Sequence, residues 1–163
     1  MEKVILITGS TGMIGKGLLL ECIKSPKIKS IILINRSPID IQNPKINEII
    51  LKDFLEIDSV KNQLVKIDAC FHCLGTSAVG LNETQYSLIT YEITRKLADL
   101  CFDLNPEITF NYVSGVGTDS TEKGRQMWAR VKGKTENYIL AKGFDKAYMF
   151  RPGFIIPACT FCA

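Results

Sequence analysis

Three glycines near the N-terminus carry the chemistry that the sequence shows most directly. Gly9, Gly12 and Gly15 follow the apolar residues 4–7 and precede an amphipathic helical pattern that ends before Pro26. The first glycine can turn the chain sharply out of a buried strand, and the third lets the helix pack closely on that strand. The second lets backbone N–H groups approach a pyrophosphate at the helix N-terminus, where the helix dipole favours negative charge. This spacing predicts a dinucleotide-binding turn, with a tight turn that binds nothing as the other interpretation.

Polar residues follow three further apolar segments of strand length. After the second segment no Asp or Glu is present to bind a ribose 2′-hydroxyl; instead the chain has Asn35 and Arg36. An arginine there suits a 2′-phosphate through charge-assisted hydrogen bonds, so NADP is the predicted cofactor and NAD stays open. Arg36 as a solvated residue at a strand end is the alternative. Asp53, after the third segment, can accept a hydrogen bond from an adenine amino group, and Gly75 and Thr76 after the fourth can lie beside the cofactor.

Six cysteines and a single histidine do not combine into a predicted metal site. Cys70 and Cys73 enclose His72 in a predicted strand, where residues three apart point to opposite faces and cannot bind one ion. Cys159 and Cys162 lack two partner ligands. We interpret these cysteines as small buried apolar residues and predict no metal. His72 is expected to be a strand residue near the cofactor rather than a general base.

Strand-like and helical patterns alternate along the whole chain. The predicted strands are residues 4–7, 31–34, 46–51, 69–74, 108–113 and 147–150. Helical patterns run up to Pro26, from Asp58 through Val65, over residues 83–104 and over residues 123–142. This alternation is typical of a parallel sheet with helices on both faces. We therefore predict a single domain over residues 1–163, with an α/β fold built on a Rossmann-type doubly wound parallel sheet.

Charge and hydropathy narrow the classes of partner. The net charge is +3, and the lysines and arginines are too dispersed to predict a nucleic-acid surface. The longest apolar runs have about the length of a strand, so no membrane span is predicted. An apolar fraction of 46% with 23% charged residues is ordinary for a globular domain. With no signal-peptide layout at the N-terminus, we expect reduced cysteines and a cytoplasmic location. The partner that we expect is a small-molecule substrate.

Taken together, these motifs resemble the short-chain dehydrogenase/reductase superfamily in its extended or atypical branch. The resemblance covers nearly the whole chain and is strongest to members described as NAD-dependent epimerase/dehydratase-like, which include the Tat-interacting oxidoreductase-like proteins. The matching segments are residues 8–15, 35–36, 53–54, 73–76, 112–114, 131–136 and 151–154. The resemblance implies a Rossmann fold that binds NAD(P). The cofactor-binding residues that it implies are Gly9, Thr11, Gly12, Met13, Ile14, Gly15, Arg36, Asp53, Phe54, Leu74, Gly75, Thr76, Lys132, Pro152 and Gly153.

The proton donor of the superfamily is replaced in this chain. In those enzymes a Tyr four residues before a Lys on one helix protonates the substrate carbonyl, while the ammonium lowers the phenol pKa and holds the nicotinamide ribose. Lys132 occupies the lysine position, but Trp128 stands where the Tyr is expected. An indole N–H does not titrate near neutrality and cannot replace a phenol. Lys132 as one more surface charge remains the alternative.

The serine partner of that lysine is less clearly placed. Ser114 lies at the end of the fifth predicted strand, yet the aligned position is Gly115, and Thr118 and Ser120 follow it as further hydroxyl donors. We take Ser114 and Lys132 as the candidate catalytic residues.

The resemblance leaves two main functions open. One is an oxidoreductase or epimerase that acts on a small carbonyl or nucleotide-sugar-type substrate. The other is a non-catalytic dinucleotide-binding redox sensor or protein-interaction module; a fold that binds no ligand is a weaker third. Members of the superfamily usually continue well beyond the Arg-Pro-Gly segment, so the C-terminal substrate region is expected to be short or missing. The apolar residues 154–156 predict an exposed patch that a homo-oligomer would cover.

Overall fold

Six parallel strands form one sheet in the computed structural model, which describes residues 2–64 and 66–156. The strands are β1 (Lys3–Thr8), β2 (Ile28–Asn35), β3 (Ile46–Ile50), β4 (Ala69–His72), β5 (Thr109–Val113) and β6 (Lys146–Phe150). The α-helices are α1 (Met13–Lys24), α2 (Glu83–Ser87), α3 (Ile93–Leu104) and α4 (Met127–Ala141). A 3-10 helix spans Phe54–Gln63, and a π-helical turn over Leu88–Glu92 joins α2 to α3.

The strand order places the start of the chain at the centre of the sheet. Across the sheet the order is β3-β2-β1-β4-β5-β6, so the chain leaves β1 in one direction and returns to its other side at β4. Thr8 pairs with Ile34 of β2 and with His72 of β4, which brings the carboxyl ends of these strands to one level. In open α/β sheets such a reversal of strand order forms the crevice that binds the ligand.

Helices cover both faces of the sheet, so the predicted Rossmann-type doubly wound fold is confirmed. Along β1, Leu6 faces the 3-10 helix, α3 and α4, whereas Ile5 and Ile7 face α1. β1 and β2 are therefore buried on both faces, which explains their continuous apolar sequences. The side of the sheet that packs against α1, here called the α1 face, is covered only in part. Within the described residues, no helix covers its β5 and β6 half, where Tyr148 and Phe150 are 50% and 52% exposed.

Most element boundaries differ from the sequence predictions by a few residues, and some of these differences have identifiable reasons. β4 ends at His72; the Cys73 N–H still donates to the Thr8 carbonyl, and the following residue, Leu74, then passes close to Gly9 of the glycine turn. The helix predicted from Asp58 begins at Phe54, where the Asp53 carboxylate accepts a hydrogen bond from the Leu55 N–H.

The two later helices also differ. The one predicted over residues 83–104 is interrupted by the π-helical turn. The one predicted from Lys123 begins at Met127, because Asp119 accepts hydrogen bonds from the N–H groups of Lys123 and Gly124 and holds them in a loop. Val65, Cys159 and Cys162, which also entered the predictions, lie outside the described residues.

The described residues contain neither a membrane-spanning helix nor a metal-binding cluster. None of their helices combines the length and the apolar character that crossing a membrane requires. Over the same ranges, no cluster of three or more His, Cys, Asp or Glu side chains is arranged to hold a metal ion.

Candidate functional site

The turn between β1 and α1 depends on two of its three glycines. Gly9 has φ of +73°, and a Cβ there would lie 2.6 Å from the backbone nitrogen of Leu74. A Cβ at Gly15 would lie 2.2 Å from the Gly9 carbonyl oxygen, so Gly15 lets the first turn of α1 pack closely on the turn that follows β1. At Gly12 an added Cβ meets only that same oxygen, at 3.4 Å, so this side of the turn is open to a ligand.

The N-terminus of α1 has the geometry that an anion site requires. Gly12 is the N-cap residue in an extended conformation, and no side chain of the described residues caps the helix there. The first turn contains no acidic residue, and Met13 within it is exposed. The free N–H groups of a first helical turn and the positive end of the helix dipole attract phosphate. The residues present therefore fit the pyrophosphate that the glycine spacing predicts.

Two adjoining cavities lie beside this turn, over the carboxyl ends of β2 and β4. The first, of about 110 Å³, opens between the glycine turn and the residues after those strands. The second, of about 230 Å³, shares four lining residues with the first and extends toward the π-helical turn. The predicted cofactor residues that line one or both cavities are Gly9, Thr11, Gly12, Arg36, Asp53, Phe54, Leu74, Gly75 and Thr76. The structure thus brings most of the predicted cofactor residues together.

Arg36 is available in the second cavity, whereas its neighbour Asn35 is not. The Asn35 side chain is buried, accepts a hydrogen bond from the Ser10 hydroxyl at 2.8 Å, and donates to Glu48 at 2.7 Å. Arg36 is exposed and lines the cavity together with Lys52, which the sequence analysis did not select. In residues 2–64 and 66–156, neither of these two cations forms an ion pair. The cavity therefore presents two positive charges that form no ion pair within the described residues, with the carboxylate of Asp53 in the same lining.

Asp53 lines the same cavity but has a structural role as well. Its Oδ1 atom accepts the hydrogen bond from the Leu55 N–H at 2.9 Å and so caps the 3-10 helix. The Oδ2 atom remains for a ligand. That Asp53 accepts a hydrogen bond from an adenine amino group stays a prediction.

Ser114 and Thr118 form a short chain of hydroxyl groups at the end of β5. Their oxygens are 2.9 Å apart, and the Thr118 hydroxyl donates to the Gly115 carbonyl at 2.7 Å. Because a threonine hydroxyl has one proton, Ser114 must be the donor to Thr118. Both side chains are buried. The structure therefore joins the two hydroxyls that the sequence offered as alternatives.

The segment after β6 lies alongside this hydroxyl pair. The Phe150 carbonyl accepts a hydrogen bond from the Ser114 N–H at 2.7 Å, and the Pro152 carbonyl accepts one from the Val116 N–H at 3.0 Å. Gly153 faces the side chain of Val116. Pro152 lines a third, apolar cavity of about 510 Å³ on the α1 face, together with Ile14. The predicted cofactor residues Ile14, Pro152 and Gly153 thus lie on the other side of the glycine turn from Arg36.

Lys132 is directed at the sheet rather than at solvent. It is half-buried on α4, and its Nζ atom lies 5.4 Å from the centroid of the Tyr112 ring. Burial lowers the pKa of Lys132, and the nearby Glu136 carboxylate opposes that shift. Lys132 does not line the two cavities beside the glycine turn, and it is not a freely solvated surface charge.

Cys70 of β4 and Cys73, the residue directly after β4, face opposite sides of the sheet, as predicted. Cys70 lies in the core with α3, whereas Cys73 lines cavities next to α1. Burial, and secondarily the neighbouring Cys22, raise the pKa of Cys73 to about 12. Cys73 is therefore a neutral thiol in the wall of the candidate site.

Comparison with known proteins agrees with this architecture. The NAD dependent epimerase/dehydratase family matches residues 5–142. Protein fmp52, mitochondrial, of Emericella nidulans is 30% identical over 162 residues, which cover 95% of this chain and 67% of that protein. Protein HTATIP2 of Rattus norvegicus is 26% identical over 157 residues, which cover 95% of this chain and 64% of that protein. The chain therefore spans about two thirds of the length of these curated relatives.

Solved structures show the same fold at lower identity. Uronate dehydrogenase from Agrobacterium tumefaciens matches with a TM-score of 0.70 and 19% identity, over 88% of this chain and 58% of that chain. UDP-glucuronic acid 4-epimerase from Bacillus cereus, solved in complex with NAD, matches with a TM-score of 0.69 and 17% identity, over 92% of this chain and 56% of that chain. Because the family match extends from β1 to the end of α4, this chain belongs to the NAD-dependent epimerase/dehydratase family.

Proposed function

We propose that this chain binds NADP(H) at the carboxyl edge of its sheet. The observation that carries the proposal is the uncapped N-terminus of α1 facing the open side of Gly12. Backbone N–H groups of the first helical turn would hold the pyrophosphate there. The adenosine half would lie in the two cavities over Leu74 and Gly75. NAD in the complex of the Bacillus cereus epimerase supports the proposal at the level of the shared fold.

The charges beside the second cavity support a preference for the 2′-phosphate. Arg36 and Lys52 both line this cavity and have no carboxylate partner among the described residues. No acidic side chain follows β2, and the Asn35 amide is already hydrogen-bonded on both sides. A phosphate would pair with these cations, whereas a ribose hydroxyl would leave them unpaired.

For the chemistry, we propose reduction or epimerisation of a small carbonyl or nucleotide-sugar-type substrate, with the bound cofactor giving hydride in a reduction, or taking it up and returning it in an epimerisation. Lys132 would hold the nicotinamide ribose, as its counterpart does in the superfamily. Ser114 would orient the carbonyl oxygen by turning its hydroxyl proton from Thr118 to the substrate, while Thr118 stays bonded to the Gly115 carbonyl. Neither is a strong acid, and Trp128 has no titratable proton. We therefore expect cofactor affinity to be similar to that of superfamily members with the tyrosine, and the rate of catalysis to be lower than theirs.

A second function rests on the same residue. Trp128 stands at the position predicted for the tyrosine that donates the proton in the superfamily. Loss of that donor favours a non-catalytic dinucleotide-binding sensor or interaction module.

The location in the cell stays a prediction as well. We predicted cytoplasm, while the fungal relative carries the word mitochondrial in its name.

The proposal is tested by titrating the purified protein with NADPH and NADH, and by measuring NADPH oxidation across a library of carbonyl compounds. We expect saturable binding that favours NADPH, and weaker binding in Lys132→Ala. Lys134→Ala is the matched control, because Lys134 lies on the same helix but is exposed over the Tyr91 ring. Absence of binding to both cofactors overturns the proposal. Binding without turnover of any compound selects the non-catalytic module.

A further inference from the structure

A line of buried hydrogen bonds connects the glycine turn to the π-helical turn. Thr8 is the last residue of β1, and its Oγ1 atom lies 2.6 Å from Nδ1 of His72. On the other side of the ring, Nε2 of His72 lies 2.8 Å from Oγ1 of Thr94. The Thr94 hydroxyl then donates to the carbonyl oxygen of Thr90 at 2.6 Å. All four residues are buried, so this line runs through the interior of the protein.

The direction of every hydrogen bond in this line is determined. Thr94 gives its only hydroxyl proton to Thr90, so it must accept a proton from Nε2 of His72. A neutral imidazole carries one N–H, which leaves Nδ1 as an acceptor for the Thr8 hydroxyl. Burial, and secondarily the charge of Lys132, lower the pKa of His72 to about 3. His72 is therefore neutral near pH 7, with its proton on Nε2.

His72 is also part of the surroundings of Lys132. Its ring stacks on the Tyr112 ring with centroids 5.8 Å apart and an interplanar angle of 19°. Lys132 Nζ lies 5.4 Å from the centroid of that same Tyr112 ring. At the other end of the line, Thr90 lies in the π-helical turn, which packs against α4, the helix that carries Lys132. Its own hydroxyl has no partner among the described residues.

We propose that His72 is a positioning residue that fixes the distance between the glycine turn and Lys132. It holds the glycine turn through Thr8, and it holds the surroundings of Lys132 through the Tyr112 ring and through Thr94. A dinucleotide bound as proposed above contacts both ends: its pyrophosphate lies at the glycine turn and its nicotinamide ribose at Lys132. This inference rests on the proposed function. Because His72 is fully buried, it acts through other residues and does not contact the ligand.

The test compares two ligands in two matched variants. Thr94→Val keeps the size of the side chain but breaks the line, whereas Thr94→Ser keeps the hydroxyl. NADPH spans both ends of the site, and adenosine 2′,5′-bisphosphate is the half that lacks the nicotinamide ribose. We expect Thr94→Val to weaken NADPH by about 3- to 30-fold, the scale of coupling through a packed network, and to change the shorter ligand by less than about twofold. Thr94→Ser should bind both ligands as the unmodified protein does.

His72→Gln gives a second, independent readout. An amide can donate to Thr94 and accept from Thr8, so this variant should retain most of the NADPH affinity, whereas His72→Leu should not. In the Lys132→Ala background, Thr94→Val should cause little further loss of NADPH affinity, because the contact that it positions is already absent. His72 is the only histidine, so its ring nitrogen signals in an NMR spectrum report the Nε2–H tautomer without ambiguity.

The outcomes separate this inference from the proposed function. If the unmodified protein does not bind NADPH, the proposed function fails and this inference fails with it. If NADPH binds but Thr94→Val weakens both ligands equally, or weakens NADPH additively with Lys132→Ala, His72 has a structural role only and the inference alone is overturned. An Nδ1–H tautomer in the unmodified protein also overturns it.

Discussion

The indole ring of Trp128 lies against Gly117, with its Cη2 atom 3.3 Å from where a Cβ of that residue would stand. Gly117 has φ of +84° and belongs to the turn that carries Ser114 and Thr118. Trp128 thus helps to pack the loop that presents the two hydroxyls. One helical turn later on α4, Lys132 lies near the Tyr112 ring. In the predicted alignment with the superfamily, Lys132 takes the lysine position of this helix, and the position predicted for the tyrosine holds a residue that packs against the loop.

This relationship predicts that cofactor binding and chemistry separate. Carbonyl reduction by the unmodified protein should be about 10²- to 10⁴-fold slower than in enzymes with the tyrosine, which is the usual contribution of a positioned general acid. Trp128→Tyr should raise the rate without changing NADPH affinity, as measured by steady-state NADPH oxidation. Trp128→Phe is the control, because it removes the indole but supplies no hydroxyl. The prediction would be contradicted if the unmodified protein turned over as fast as ordinary members of the superfamily and Trp128→Tyr did not raise that rate.

Cofactor preference should depend on Arg36. Arg36→Ala should weaken NADPH by about 1–3 kcal/mol, the scale of a lost charge-assisted contact, and leave NADH nearly unchanged. Lys52→Ala should act in the same direction, because both cations line one cavity. Lys29→Ala, an exposed lysine of β2, is the control for a change in net charge alone. Direct binding titrations measure all four proteins, and equal affinities of the unmodified protein for the two cofactors would overturn this prediction.

Substitution of two glycines of the turn should affect different properties, namely the stability of the protein at Gly15 and its NADPH affinity at Gly12. Gly15→Ala places a Cβ 2.2 Å from the Gly9 carbonyl, and α1 must move to accept it. We expect a loss of about 1–3 kcal/mol in the free energy of unfolding, despite the better helix propensity of alanine. Gly12→Ala should retain stability but lose NADPH affinity, because its Cβ points into the open side of the turn. Urea unfolding and cofactor titration of both variants check this, and a stable Gly15→Ala protein would contradict it.

The sequence was sufficient to predict the fold because its signals are local. The apolar runs of β1 and β2, the glycine spacing before α1 and the alternation of strands with helices each lie within a few residues. Element boundaries were less predictable, since they depend on contacts with other elements. Lys123 fits a helical pattern, yet its N–H group bonds to Asp119, and α4 begins four residues later at Met127.

The site was predicted in part for the same reason. Residues that follow a strand can be located from the strand alone, which is how Arg36, Gly75 and Thr76 were found. The hydrogen-bonded line through His72 joins residues that are 64 and 22 positions apart in the sequence, and no local pattern indicates it. Lys52 was missed because a lysine at the end of a strand is usually solvated, and only the shared cavity relates it to Arg36.

Self-association is expected through the part of the sheet, on the side that packs against α1, that no helix of residues 2–64 and 66–156 covers. Phe150 and Ile155 line the apolar cavity there, and the neighbouring Phe154 is 88% exposed. Large uncovered apolar patches are rare on monomers, so a second copy of the chain should cover this one. Light scattering should show a dimer or larger species, and Phe154→Asp should shift it toward the monomer. Val79→Asp is the control, because Val79 is 90% exposed but lines none of these cavities. A monodisperse monomer of the unmodified protein at high concentration would contradict this prediction.

His72 should make the stability of the protein depend on pH in a defined direction. Its pKa is about 3 in the folded protein against 6.5 for the free group, because the ring is buried and Lys132 adds a positive charge nearby. Between these two values the unfolded chain binds a proton that the folded protein excludes. The free energy of unfolding therefore decreases as the pH falls below about 6.5, and the stabilising contribution is fully present above that pH.

The size of this effect can be isolated with a variant that does not titrate. From pH 7 to pH 5 the unmodified protein should lose about 2 kcal/mol through His72, since each pH unit below the unfolded pKa contributes up to about 1.4 kcal/mol. His72→Gln keeps both hydrogen bonds but has no proton to gain, so its loss over the same range should be smaller by that amount. Carboxylates contribute equally to both proteins and cancel in the comparison. Urea unfolding at the two pH values measures the difference, and parallel pH dependence of the two proteins would show that His72 is not held neutral by its burial.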